Sequence, residues 1–190
     1  GLVRTLVLAV SLSVGCATTR DLDPPGRLVL DAPSVRIPIR EEPDNLYSVE
    51  VFLEGAGPYR FLLDSGAGVT VVDPVVAERF RVDELPFRIR GALGGEARAV
   101  PRGAIAEVSF QPPDGPGARV HDVPFVSQAV PHSFDGVAGM GLFRGCRVVF
   151  DFPSRFIEAS RPGRSVEDIP VGDEVLPRVA IRVEEEALDA

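Results

Sequence analysis

The chain has 190 residues, 45% of them apolar and 25% charged, a balance that can bury one core. Its 19 Gly and 18 Pro break the pattern too often for a coiled coil, a helical bundle or any long helix. The net charge is −8 and all 20 basic residues are Arg, so a basic nucleic-acid-binding surface is not expected.

Residues 1–15 run from Arg4 through Leu6–Val10, Leu12 and Val14 to small residues. That order is a secretory signal, and it falls short of the ~20 apolar residues a spanning helix needs. The segment ends in Ser13-Val14-Gly15-Cys16, which is similar to the bacterial lipoprotein box, with Ser13 standing where Leu is usual. The resemblance implies a lipid on Cys16, a membrane anchor, and an exported domain facing the periplasm or the cell exterior. Residues 16–34 then read as the anchor Cys and a polar linker containing Asp23-Pro24-Pro25-Gly26. With Cys16 acylated, Cys146 has no disulfide partner in its chain and reads as a small buried residue, not a nucleophile.

From Val35 the apolar positions alternate. Val35–Ile39 and Ser48–Glu54 read as strands, Gly55-Ala56-Gly57-Pro58 as a turn, and Tyr59–Leu63 as the returning strand. Val69–Val72 follows at once. Asp73-Pro74 is an N-cap followed by Pro at the first helical position, predicting a short helix over Pro74–Phe80. Arg88–Val100 carries Gly94-Gly95 at its middle, the mark of a hairpin tip. Ala104–Phe110, Ala118–His121, Pro124–Ala129, Arg147–Phe152 and Arg155–Ala159 complete the strands of a domain over 35–160. Short strands this close together, with one or two brief helices, predict an all-β fold, a small barrel or sandwich. Residues 161–190 are first Pro/Gly-rich and then acidic. They read as a tail, or as the stub of a further module in which Glu174–Val183 adds a strand.

The most informative stretch is Phe61-Leu62-Leu63-Asp64-Ser65-Gly66-Ala67-Gly68-Val69-Thr70-Val71-Val72. Alone, Asp-Ser-Gly is an ordinary turn. Here apolar strands flank it on both sides, so the carboxylate of Asp64 leaves the core itself, where it costs free energy unless bonded or used.

The pattern Asp-Ser-Gly-Ala-x-x-Thr-Val resembles the active-site loop of aspartic proteases of the retropepsin-like family. Phe134-Asp135-Gly136-Val137-Ala138-Gly139-Met140-Gly141-Leu142-Phe143 is similar to the second loop of that family, especially in its bacterial members. The glycine-bearing hairpin lies between the two, where these enzymes carry a flap. The resemblance implies a small closed β-barrel of the retropepsin-like type and aspartic endopeptidase activity on protein or peptide substrates. It implies Asp64 as the catalytic carboxylate, Ser65, Gly66 and Ala67 as the active-site loop, and Gly91, Gly94 and Gly95 in the flap. It further implies Asp135, Val137 and Gly139 in the second loop, Asp135 either lining the cleft or capping the turn before Gly136. One such loop per chain implies a homodimer whose two copies of Asp64 share the chemistry. Retroviral members place an acid directly after the loop Ala and an Arg after the second loop's Gly. Here Gly68 and Met140 stand at those places, which fits a differently built interface. A peptide-binding or structural lipoprotein module without turnover is the alternative reading.

No metal or other cofactor is expected. His121 and His132 lack the helical spacing of a metal pair, and Gly91–Gly95 lacks the strand-to-helix context and Lys of a phosphate loop.

Overall fold

The structure is a computed structural model that describes residues 25–83, 87–89, 98–110, 117–131 and 133–161, with the backbone of 179–182. Its strands are β1 (Val29–Leu30), β2 (Ser34–Glu42), β3 (Leu46–Leu53), β4 (Ala56–Asp64), β5 (Thr70–Val72), β6 (Phe87–Ile89) and β7 (Arg98–Val100). They continue as β8 (Arg102–Ser109), β9 (Ala118–Ser127), β10 (Gly136–Gly139), β11 (Arg147–Asp151), β12 (Phe156–Ser160) and β13 (Val179–Arg182). A single turn of helix, α1 (Pro74–Ala77), follows β5.

Six strands pair in the closed cycle β9-β5-β10-β4-β3-β8 and back to β9, so the all-β closed barrel expected from the sequence is present. Two of its contacts, β4 with β10 and β5 with β9, are parallel, and the remaining four are antiparallel. β2 pairs β3 through Ile39–Glu42 and β12 through Ser34–Pro38, carrying the β12-β11-β13 sheet away from the barrel. The alternation seen in the sequence is the one the fold uses: Val35, Ile37 and Ile39 of β2 are buried and their neighbours Arg36 and Pro38 are on the other face.

The main core holds Ile37, Leu53, Phe61, Ile105, Phe125 and Phe143, all without solvent exposure. A second apolar cluster, with Leu62, Val71, Val126 and Val137, packs against Phe87, Ile89 and Val100 of the β6–β7 hairpin. β4 therefore lies between two cores, which explains its unbroken run Phe61-Leu62-Leu63.

Several boundaries differ from the sequence reading. Residues 25–33 pack on the barrel. Leu28 and Leu30 are buried, β1 pairs β9, and Leu28 N–H donates to the Arg144 carbonyl at 2.9 Å. The turn before β4 is Glu54-Gly55 alone, both with positive φ (51° and 79°), and Ala56-Gly57-Pro58 already belong to the strand. Two consecutive positive φ angles make the tight type of hairpin that keeps the twist of its strands. Ala118–His121 and Pro124–Ser127 are parts of one strand, β9, which ends two residues before the expected Ala129 and in which Asp122 (φ 52°) makes the bend that looks like a break in the sequence. The helix after Asp73 is α-helical only to Ala77, with Asp73 accepting from the Val75 N–H at 3.0 Å as its cap. β13 lies within the stretch read as a tail or an added strand, and pairs in parallel with β11, Val148 opposite Val179. Residues 1–24, including the signal and Cys16, lie outside the described residues, as do the hairpin tip over 90–97 and residues 162–178.

Candidate active site

Asp64 is the last residue of β4, carried there by a strand buried on both faces. Side chains alternate along a strand, so Asp64 shares the face of Leu62, toward the second cluster and its hairpin. Leu63 and Ser65 take the opposite face. Asp64 is half-buried as a residue, and its Oδ1 accepts a hydrogen bond from the Gly66 N–H at 2.8 Å. The Ala67 N–H donates to the Asp64 carbonyl at 3.2 Å and closes the turn, after which β5 leads back into the core. Oδ2 accepts no hydrogen bond among the described residues. One oxygen is thus held in place and the other is available for chemistry.

The second loop meets the first through the parallel pairing of β10 with β4. Val137 lies opposite Leu62 and Gly139 opposite Asp64. Gly139 must be glycine, because a Cβ there would lie 2.6 Å from the Ala67 carbonyl oxygen and 3.0 Å from that of Val69. The close approach of the two loops depends on this missing side chain. Val137 is buried in the second cluster beside Leu62.

Asp135 is the exception among the second-loop residues. It precedes β10 at the level of Arg60, four residues or about 13 Å along the strand from the level of Asp64. Its Oδ2 accepts from the Arg60 N–H at 2.7 Å, its own N–H donates to the Arg60 carbonyl at 2.8 Å, and its carbonyl accepts from the Asp73 N–H at 2.9 Å. Asp135 thus stands at the turn before Gly136, with its Oδ2 bonded to the Arg60 N–H. It anchors the start of the parallel pair, with its carboxylate occupied there.

On the face taken by Leu63 and Ser65 lies a hollow of about 140 Å³, lined also by Tyr47, Met140, Phe150 and Phe152. Sequence reading singled out Met140 only as a departure and did not place the aromatics here. The alternation of Leu63 against Leu62 was the available signal, since a strand apolar on both faces must meet something on each. The β6–β7 hairpin starts where the flap was expected, but Gly91, Gly94 and Gly95 fall outside the described residues, as does His132. His121 is on β9, 3.8 Å from Glu107. Cys146 is buried, and desolvation pushes its thiol pKa up, with Arg161 partly opposing. It is an inert core residue.

Residues 49–142, which span β3 through both loops, match the model of a family described as aspartyl protease. The chain belongs to the aspartyl protease family. The matched region contains Asp64, the glycine that admits its loop, and all of the closed barrel except the first three residues of β3. Among solved structures, this aspartyl protease domain is similar to the crystal structure of a retropepsin-like aspartic protease from Rickettsia conorii. The two are 14% identical with a TM-score of 0.45, over 67% of this chain and 92% of that one. No curated protein matches the chain.

Proposed function

We propose that the protein is an aspartic endopeptidase whose active site forms between two copies of the chain, each supplying Asp64. The observation that carries this reading is Asp64 itself, a half-buried residue at the end of a strand packed on both faces, with one carboxylate oxygen tied to Gly66 and the other accepting no hydrogen bond among the described residues.

Peptide hydrolysis by this chemistry needs two carboxyl groups about 3 Å apart that share one proton, since like charges so close cannot both ionise. The ionised Asp64 takes a proton from water as the water oxygen attacks the scissile carbonyl. The protonated Asp64 of the other copy donates to the carbonyl oxygen, giving a gem-diol; the first Asp64 then passes the proton it took from water to the leaving nitrogen as the C–N bond breaks, and a gem-diol hydroxyl returns its proton to the second carboxylate. Ser65 stands next to each carboxylate, placed to hydrogen-bond across the junction and hold both loops in register. An extended peptide would lie between Asp64 and the β6–β7 hairpin, against the side of β4 that carries Leu62. We also propose that the chain is exported and anchored by a lipid on Cys16, which would concentrate copies on one surface and favour their pairing.

The test is cleavage of a mixed peptide library by wild type and Asp64→Asn, with the dimer fraction measured by sedimentation alongside. Asn keeps the volume but cannot share the proton. Loss of cleavage in the variant, with wild-type rate rising with dimer fraction, supports the reading. A wild type that binds peptides and leaves them whole overturns it in favour of a binding module.

A further inference from the structure

We propose that the face where residues 25–31 cross the barrel is a docking surface for an anionic lipid membrane, with Arg27, Arg144, Arg147 and Arg161 as its contacts to headgroup phosphates. This rests on the export-and-anchor reading above and adds the side of the domain that meets the membrane.

The four arginines are brought together by the crossing itself. The stem of Arg27 lies over Gly145, where a Cβ would stand 3.4 Å from Arg27 Cγ and Cδ, and the positive φ of Gly145 (84°) turns the chain there. Arg144, one residue earlier, donates from Nη1 to the Pro25 carbonyl at 3.1 Å. Arg147 opens β11 two residues later, opposite Ser160. Arg161 follows Ser160 and donates from Nη2 to the Leu30 carbonyl at 3.2 Å, and its charge reaches the Cys146 thiol beneath. Arg27, Arg147 and Arg161 are exposed. Arg27 and Val29 face outward while Leu28 and Leu30 are buried, so Val29, 49% exposed, adds an apolar contact among the charges.

Charge sets this group apart. Arg36, Arg40, Arg60, Arg102, Arg119 and Arg155 each meet a carboxylate at 2.8–3.7 Å. Among the described residues, none of the four arginines at the crossing does, and Arg144 and Arg161 donate only to neutral carbonyls. Asp31 on the crossing segment and Glu158 on β12 are already held by Arg119 and Arg36. The chain carries −8 overall, so an anionic surface repels most of it and attracts this face, which orients the domain as well as binding it.

The path of the chain selects a membrane over a soluble acidic partner. Only residues 17–24 separate Cys16 from Pro25, and even fully extended they span about 30 Å at most. An anchor on Cys16 therefore keeps the crossing close to the lipid. Each arginine near such a surface strengthens binding about fivefold, and salt screens the effect.

The experiment mixes the full chain with vesicles of phosphatidylcholine alone, or of equal parts phosphatidylcholine and phosphatidylglycerol, and reads the bound fraction by co-sedimentation. The anchor contributes to both, so the ratio of the two affinities reads the patch. Wild type should prefer the anionic vesicles and lose that preference in high salt. Arg27→Gln and Arg147→Gln should each lower the preference about fivefold and together about 25-fold, with unchanged circular dichroism. Arg27→Lys with Arg147→Lys should keep most of it. Arg40→Gln and Arg155→Gln remove the same charge from paired arginines and should leave it nearly unchanged. No preference for anionic vesicles, or an equal loss from the Arg40 and Arg155 variants, would overturn the proposal. So would Gln variants that alter thermal stability but keep the preference, for then acids of the same chain, such as Glu184–Glu186, neutralise the patch. The two readings fail separately. Equal binding to both compositions keeps the anchor and refutes the patch, arginine-dependent binding to anionic vesicles alone keeps the patch and refutes the anchor, and binding to neither refutes both.

Discussion

Two glycines two residues apart should respond to alanine with opposite signs. At Gly139 the new Cβ would sit 2.6 Å from the Ala67 carbonyl oxygen and 3.0 Å from that of Val69, both backbone atoms held in the Asp64 loop. Neither can move aside without shifting the loop, so Gly139→Ala should cost ~1–3 kcal/mol, the usual range for overpacking a tight site. For a domain of this size that is a fall of roughly 3–15 °C in Tm. At Gly141, in the turn of 3₁₀ helix that follows, the new Cβ would lie 3.4 Å from Pro25 Cγ, at ordinary contact distance. Its backbone is not in the left-handed region, so Gly141→Ala should be neutral or stabilise by ~0.4–1 kcal/mol through the unfolded chain. Thermal unfolding of both variants reads the sign directly. Peptide cleavage by Gly139→Ala below its Tm should also fall, since the displaced atoms belong to the loop carrying Asp64. A Gly139→Ala protein as stable as wild type, or a Gly141→Ala protein equally damaged, would refute the account of how the loops meet.

Asp135→Ala removes the acceptor of the Arg60 N–H, and a part-buried donor left unpaired should cost ~1 kcal/mol in chemical denaturation while cleavage per folded molecule persists. Asp135→Asn keeps an acceptor oxygen and should lose less. Leu30→Ala should cost ~2–4 kcal/mol, because Leu30 is a core residue; a loss under 0.5 kcal/mol would restore the linker reading of residues 25–33. Cys146 should resist alkylation in the folded protein and react fully once denatured. Burial holds its folded pKa above the ordinary 9.0, so the unfolded thiol ionises first. The stability it contributes is whole below that pH and is lost as pH rises through the folded value. Cys146→Ala should therefore flatten the alkaline limb of the stability–pH curve, and an unchanged limb would contradict the assignment.

The parts of the fold written as local pattern were legible in advance. Asp64 stood out because apolar strands bracket it without a polar buffer, and alternation in Val35–Ile39 marked the inward face of β2. What was missed depends on pairing with distant residues. Leu28-Val29-Leu30 is too short to show a period, and only its contact with β9 and Arg144 makes it structural. Asp122 interrupts β9 as a turn would, yet the strand continues past it because β8 pairs on both sides of the bend. Gly55-Ala56-Gly57-Pro58 has the composition of one long turn, but two positive φ angles at Glu54-Gly55 suffice to reverse the chain. Asp135 shows the limit at the site itself: its place beside the second loop was readable, and the amide of Arg60 that occupies its carboxylate was not.

The central claim is that one active site contains Asp64 from two chains. Mixing wild type with Asp64→Asn at constant total protein, under conditions where subunits exchange, tests it most directly. If each site needs both carboxyls, mixed pairs are inactive and the rate follows the square of the wild-type fraction, about one quarter of the full rate at an equal mixture. A rate that falls in simple proportion to the wild-type fraction would mean that each chain works alone, and would contradict the account.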